Sequence, residues 1–270
     1  MSHALPPRPA LREACTELAE AAAREIMRIY AGDLVVHDKA DKSPLTEADG
    51  AAEAVILAGL RQLTPDAVII AEEEVASGRV PTLNDRPFWL VDPLDGTKEF
   101  IKRNGEFTVN IALIEDGRPT LGIVLAPATG TLWRGAAGLG ADKRVGSGAF
   151  QPITTRPAPA EGLTACGSRS HGSEDDLERW FRENKLNVTN RVPAGSSLKF
   201  CLVAEGKADI YPRFAPTCEW DTAAGHAILT AAGGAVTAID GSPLLYGNAQ
   251  RRFENPDFVG WGRGPLARVR

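Results

Sequence analysis

An apolar run, Phe88-Trp89-Leu90-Val91, leads without a break into Asp92-Pro93-Leu94-Asp95-Gly96-Thr97. The run reads as a buried strand, and a carboxylate at a strand's buried end must be paired or bound to a cation. The chain does this twice, because Ala67-Val68-Ile69-Ile70-Ala71 is a second short β-branched run and ends in Glu72, Glu73 and Glu74. Between Asp92 and Asp95 the proline fixes φ and favours a tight turn. Both carboxylates, with the Leu94 carbonyl, can then converge on one point. Hard oxygen ligands suit Mg²⁺ or Mn²⁺ better than Zn²⁺, whose His and Cys ligands this segment lacks. Gly96 and Thr97 follow with unhindered N–H groups and a hydroxyl, an anion site if a helix or turn starts there. A metal-bound acidic cluster beside a phosphate cradle is the layout for phosphate-ester hydrolysis. On spacing alone, surface carboxylates closing ordinary turns fit the same residues.

Composition narrows the partners. The chain has 270 residues, with 30 Lys and Arg against 35 Asp and Glu for a net charge of −5, which argues against a polymeric nucleic acid as ligand. A small anion remains compatible, because local cations or metals reverse the sign inside one pocket. Cys15, Cys166, Cys201 and Cys218 are scattered with no C-x-x-C pair, so reduced thiols are expected rather than a zinc cluster or disulfide framework. No apolar core of signal-peptide length precedes the first acidic residues, and a cytoplasmic location is expected, with peripheral association with the inner membrane face left open. The uncharged stretch 222–239 is rich in Ala, Gly and Thr and reads as a buried helix followed by a strand, not a membrane segment. There is no G-x-S-x-G elbow, P-loop or G-x-G-x-x-G, and no internal repeat.

Helical spacing of Leu11, Cys15, Leu18, Ala22, Ile26 and Ile29 predicts a helix over 9–30. A second begins near Thr46, an N-cap hydroxyl followed by the carboxylate of Asp49. Strands at 67–71 and 88–91 come next, then a meander at 108–114, 120–125 and 131–134 with turns between. Residues 152–162, rich in Pro and Thr, mark a lobe boundary. Beyond lie a strand at 163–167, helices at 173–185 and 197–205, a strand at 208–211, a helix at 221–232 and a strand at 235–239. The first lobe, 1–155, is then α+β and the second, 156–270, is α/β. Residues 246–270 show little period. Glu74 is expected to face solvent, Glu73 is either a support for the site or a surface charge, and His37 and His226 lack partners at ligand spacing.

Trp89 to Thr97 matches the W-x-x-D-P-[IL]-D-G-T signature, and Trp220-Asp221-Thr222-Ala223-Ala224 the W-D-x-A-A signature, of the magnesium-dependent, lithium-sensitive phosphatases that include inositol monophosphatase and fructose-1,6-bisphosphatase. Glu72-Glu73 sits at that family's distance upstream, and the resemblance spans nearly the whole chain. Lys98-Glu99-Phe100, the segment 104–111, and the runs 166–171 and 195–199 resemble more particularly the 3′(2′),5′-bisphosphate nucleotidases of the CysQ type. The resemblance implies a two-lobed, layered αβαβα sugar-phosphatase fold with the active site in the cleft. It implies two or three Mg²⁺ ions, with Mn²⁺ as an alternative, held by Glu72, Asp92, the Leu94 carbonyl, Asp95 and Asp221. It further implies direct attack by a metal-activated water, with Glu72 and Thr97 as its activators and Asp49 helping to hold a metal or polarising Thr97. Gly96 and Thr97 would hold the phosphate.

Substrate contacts are expected from Asp95, Gly96, Thr97, Lys98, Ser168, Arg169, Ser170, His171, Gly195, Ser196, Lys199 and Asp221. For Ser196, Ser197 and Lys199, helix capping with a solvated lysine is the competing account. The implied reaction removes the 3′-phosphate of adenosine 3′,5′-bisphosphate, giving AMP and phosphate, with 3′-phosphoadenylyl sulfate as a further substrate, in the clearance of a by-product of sulfate activation. An inositol or sugar monophosphatase on the same scaffold is the nearest rival, and a non-catalytic phosphate sensor a more distant one. The resemblance is compatible with a monomer or a homodimer.

Overall fold

A computed structural model describes residues 5–32, 36–38, 44–167 and 174–263. Helix α1 (Arg8–Tyr30) carries Pro9 in its first turn and buries Leu11, Cys15, Ala19, Ala22 and Ile26 along one face. Two short strands, β1 (Val36–Asp38) and β2 (Pro44–Thr46), pair antiparallel ahead of α2 (Glu47–Leu63). Thr46 caps α2 as its sequence predicts: its hydroxyl accepts from the Ala48 N–H at 3.2 Å, and the Asp49 carboxylate accepts from the Thr46 N–H at 2.8 Å. Strand β3 (Val68–Ala71) runs directly into α3 (Glu72–Ala76), so the acidic triplet forms a first helical turn, where the helix dipole favours carboxylates.

Strand β4 (Phe88–Asp95) extends four residues past the end expected at Val91 and is followed by α4 (Thr97–Ile101). Its pairing explains the difference. Asp92 faces Asn110 and Asp95 faces Thr108 on β5 (Thr108–Glu115), so β4 spends three steps where its partner spends two. One extra residue is a β-bulge, which accommodates Pro93 inside a strand. It also brings two carboxylates at an odd separation to the same face, which an unbroken strand would not do.

Strands β6 (Arg118–Ala126), β7 (Thr131–Ala136), β8 (Gly140–Val145) and β9 (Gln151–Ile153) complete a seven-stranded sheet in the order β3-β4-β5-β6-β7-β8-β9, with only β3 and β4 parallel. The second half supplies β10 (Leu163–Gly167), α5 (Glu174–Glu183), β11 (Val188–Pro193), α6 (Leu198–Ala204), β12 (Ile210–Arg213), α7 (Glu219–Ala231), β13 (Ala235–Ala238) and β14 (Phe258–Trp261). These strands form a five-stranded sheet in the order β11-β10-β12-β14-β13.

Three apolar cores separate five layers. One packs α1 and α2 against the seven-stranded sheet through Ile56, Leu60, Trp89 and Ile111. Another fills the space between the two sheets around α6 and α7, through Leu90, Val124, Phe200, Ile228 and Phe258. The outermost places Phe181 of α5 against Leu163, Ile210 and Trp261. The chain is thus the layered αβαβα fold its sequence predicts. Helix α7 approaches the seven-stranded sheet at Gly122 and Gly135, which are cross-strand partners on β6 and β7. A Cβ at Gly122 would stand 2.2 Å from the Ala224 carbonyl oxygen, and one at Gly135 would stand 2.7 Å from the Ile228 Cα. No described helix is long and apolar enough to cross a membrane; the stretch 222–239 forms most of α7 and then β13. The four cysteine thiols are free.

Candidate active site

The bulge of β4, the first turns of α3 and α4, and the first turn of α7 meet at one place. Asp92 is 1 % exposed, while Glu72, Asp95 and Asp221 are half-buried. Burial pushes the Asp92 carboxyl well above the usual carboxylate range, and the charges of Glu72, Asp95 and Asp221 push it further. Burial also raises Asp95, to about 6. Asp221 rises well above its ordinary value through burial and through the charges of Asp95 and Glu72. Four carboxylates thus crowd together, and Glu72 and Asp92 share a hydrogen bond between their side chains. A cation among them would remove that repulsion, and an all-oxygen donor set of this kind fits Mg²⁺ or Mn²⁺. Among the described residues no three His, Cys, Asp or Glu side chains form a closed ligand set.

Thr97 stands at the edge of this cluster. Its Oγ1 lies 3.3 Å from Asp49 Oδ1 and 3.4 Å from the Leu94 carbonyl oxygen, one donor between two acceptors. Asp49, 1 % exposed, is itself held by the N–H and hydroxyl of Thr46 at 2.8 and 2.7 Å. The Leu94 N–H donates to Asp92 Oδ1 at 2.9 Å, which fixes the bulge around the carboxylate. Gly96 is the N-cap of α4 with φ of 92°, a left-handed conformation open to glycine. A Cβ there would also come within 3.1 Å of the Glu106 carbonyl oxygen.

The second half contributes Asp221 and the turn before α6. Asp221 accepts from the Cys218 N–H at 2.8 Å in a capping box. The competing account of a solvated Lys199 does not hold: the residue is 4 % exposed, and its Nζ donates to the carbonyls of Ala194 and Ser196 at 3.2 and 2.6 Å. Burial lowers it to about 8, while the charge of Asp95 acts in the opposite direction. Ser197 is the N-cap of α6 without making a side-chain cap. The Gly195 N–H donates to Glu106 Oε2 at 2.9 Å, so a carboxylate of this chain already occupies the donor expected to meet substrate. Ser196 has φ of 42°, and its buried Oγ has no protein partner. Lys98 is exposed on α4. Ser168, Arg169, Ser170 and His171 lie outside the described residues, as does the side chain of His37.

Four participants escaped the sequence reading. Glu53 is one helical turn after Asp49 on α2, a spacing that signals a shared face. It is 5 % exposed, accepts from the Glu73 N–H at 2.9 Å, and burial raises it to about 7. It supplies the cap that α3 lacks at Ala71. Asn110, alone among apolar neighbours on β5, contacts Asp95, and Glu106 holds Gly195. Arg213 binds the carbonyls of Ala215 and Pro216, and its charge favours ionised Asp221. Glu74 is not solvent-facing as expected; it is largely covered and paired with Arg61 at 3.1 Å. His226 is remote from metal ligation, with Nδ1 2.9 Å from the Tyr246 hydroxyl.

Comparison with known proteins gives the same grouping. Residues 9–259 match the inositol monophosphatase family. The 3′(2′),5′-bisphosphate nucleotidase CysQ of Escherichia coli K12 is 47% identical over 244 residues, covering 90% of this chain and 96% of that one. Among solved structures, CysQ from Bacteroides thetaiotaomicron superposes with a TM-score of 0.77 at 37% identity, covering 94% of this chain and 98% of that one. An inositol monophosphatase from Anabaena superposes with a TM-score of 0.73 at 27% identity, covering 97% and 94%.

Proposed function

The chain belongs to the inositol monophosphatase family, and from that premise we propose that it is a Mg²⁺-dependent 3′(2′),5′-bisphosphate nucleotidase that converts adenosine 3′,5′-bisphosphate to AMP and phosphate. It would also remove the 3′-phosphate of 3′-phosphoadenylyl sulfate. The reaction rests on one observation, the convergence of Glu72, Asp92, Asp95 and Asp221 beside the Thr97 hydroxyl. The substrate assignment rests on the extent of similarity to the CysQ relatives.

In this reading Glu72, Asp92, the Leu94 carbonyl, Asp95 and Asp221 hold two or three Mg²⁺ ions. Bound there, Mg²⁺ supplies water activation and charge neutralisation for phosphate-ester hydrolysis. Thr97 donates its hydroxyl proton toward Asp49, which leaves its oxygen lone pairs to hold the attacking water. Glu72 takes the proton that this water loses. The first turn of α4 offers N–H groups without intrahelical acceptors to the phosphoryl oxygens, and the left-handed Gly96 lets the phosphate approach the backbone. Stabilising the charge on the transferred group carries most of the rate. Lys98, Lys199, Ser196 and the 168–171 segment would receive the nucleotide's other groups, with Lys199 acting through the carbonyls of Ala194 and Ser196.

We read 1–155 and 156–270 as lobes flanking the cleft, and the active species as a monomer or homodimer in the reducing cytoplasm, where free thiols persist.

Phosphate release with Mg²⁺ tests the assignment, comparing adenosine 3′,5′-bisphosphate with inositol 1-phosphate, AMP and fructose 1,6-bisphosphate. A preference of tenfold or more in kcat/KM for the bisphosphate nucleotide, about 1.4 kcal/mol in the transition state, is expected. A preference for inositol 1-phosphate would keep the metal chemistry and overturn the substrate.

A further inference from the structure

Strand β5 carries a polar side chain in the middle of an apolar stretch. Asn110 is 1 % exposed, as deeply covered as Val109 and Ile111 beside it. Its Nδ2 donates to Ser197 Oγ at 3.0 Å and lies 3.4 Å from Asp95 Oδ2. Its Oδ1 accepts from Thr108 Oγ1 at 3.0 Å. The amide therefore has one orientation, because a flip would set its carbonyl oxygen against a carboxylate and leave the Thr108 hydroxyl facing a donor. Ser197, 2 % exposed, extends the chain of contacts: its Oγ donates to the Asp221 carbonyl at 2.6 Å, and its N–H serves the Asp95 carboxylate. A continuous, uncharged bridge thus runs from Asp95 on the seven-stranded sheet, through Asn110 and Ser197, to the first turn of α7 that carries Asp221.

Asp95 and Asp221 come from different halves of the chain and repel one another. Something must set their separation without itself competing for a cation. A lysine at position 110 would neutralise the carboxylates in place of a metal, and an apolar residue would leave Asp95 short of a donor in a buried setting. A neutral amide joined to a hydroxyl avoids both. Contacts that orient metal ligands in this manner are worth 10–100-fold in metal affinity.

We propose that Asn110 and Ser197 are a positioning pair that fixes the distance between Asp95 and Asp221 and thereby sets how tightly the site holds its divalent cation. The inference rests on the metal-site reading above. Both side chains are buried and spend their polar atoms on protein partners, so the consequence is expected on cation binding.

Calorimetric titration with Mn²⁺ of the wild type, Asn110→Leu, Ser197→Ala and the double variant tests it, alongside thermal unfolding of each in EDTA. Each single change is expected to weaken Mn²⁺ binding about tenfold or more. The double variant should lose little beyond the worse single one, since either change breaks the same bridge. KM for the bisphosphate nucleotide at saturating Mn²⁺ should stay within twofold. Folded variants that bind Mn²⁺ within twofold of wild type, or losses that simply add, would overturn the pairing, even if unfolding temperatures fall. Should Asn110→Leu fail to fold, Asn110→Ser with Ser197→Ala carries the same test. A wild-type protein that binds no Mn²⁺ would overturn the metal site and the pairing with it, whereas wild-type binding unchanged in the variants overturns the pairing alone.

Discussion

Replacing Gly122 by alanine adds one methyl group at the place where α7 lies against the seven-stranded sheet. That methyl would stand 2.2 Å from the Ala224 carbonyl oxygen and 2.8 Å from the Ala227 Cβ, against 3.4 Å for the start of ordinary contact. The helix must therefore withdraw by 3.4 − 2.2 = 1.2 Å, or the strand must bend by as much. One partner is a backbone carbonyl and the other an alanine Cβ fixed to the backbone, so no side-chain rotation relieves the clash. Overpacking of this kind costs about 1–3 kcal/mol, and for a chain of this length about 2 °C in Tm accompanies each kcal/mol. Thermal unfolding should show a Tm lower by about 2–6 °C. Because the first turn of α7 carries Asp221, the Mg²⁺ concentration needed for half-maximal activity should rise as well. Gly50 provides a control of opposite sign. It is exposed on α2, and a Cβ there meets nothing within 4 Å, so Gly50→Ala should stabilise by about 0.5–1 kcal/mol through helix propensity. If Gly122→Ala leaves Tm within 1 °C of wild type, α7 is not seated on the sheet as described and the argument from close approach fails.

His226 is held neutral by burial, with a pKa of about 3 against 6.5 when unfolded, so its stabilisation is complete above about pH 6.5 and lost as pH falls. At pH 5 the loss is about 2 kcal/mol, and His226→Gln should flatten the change in unfolding free energy from urea titration between pH 7.5 and 5 by that amount. An equal slope in both proteins would contradict the assignment. Asp92→Asn should abolish phosphate release yet raise the Tm of the metal-free protein, because it removes one charge from a mutually repelling set. Mg²⁺ should then stabilise the wild type more than the variant. Glu53→Ala should lower kcat/KM tenfold or more by releasing the first turn of α3, while Glu53→Gln, which retains an acceptor for the Glu73 N–H, should cost less than threefold. Comparable losses in the two would mean that the charge, not the cap, matters.

The elements legible in the sequence were those that announce themselves by pattern. Thr46 and Asp49 form the predicted cap, and the apolar run before Asp92 forms the predicted buried strand. The strands that escaped notice are edges, short segments or, in β8, rich in charge. β8 carries Asp142, Lys143 and Arg144 on a partly exposed strand, and β11 pairs only with β10 and is mostly exposed. β14 lies in a Gly- and Arg-rich stretch, yet its four residues are all buried, because strands on both sides supply what its short length cannot. The carboxylates of the site were legible because strands rarely end in buried charge. The groups that hold them were not. Asn110 and Ser197 become partners only through a contact spanning 87 positions of sequence, and Lys199 looks solvated until the carbonyls of its own turn are seen to enclose it.

The order β11-β10-β12-β14-β13 has a consequence for synthesis. A growing chain can finish the seven-stranded sheet once Ile153 has emerged. The second sheet must wait. β12 and β13 face each other across a gap that β14 fills, and β14 is the last strand among the described residues. Until it arrives the nascent protein exposes two unpaired strand edges and an unfinished layer around α7, the surfaces on which partly made proteins stick to one another. A ribosome that stalls or terminates before Phe258 therefore leaves an intermediate in need of a chaperone, with α7 seated on the first sheet while the layer that covers its other side is unfinished.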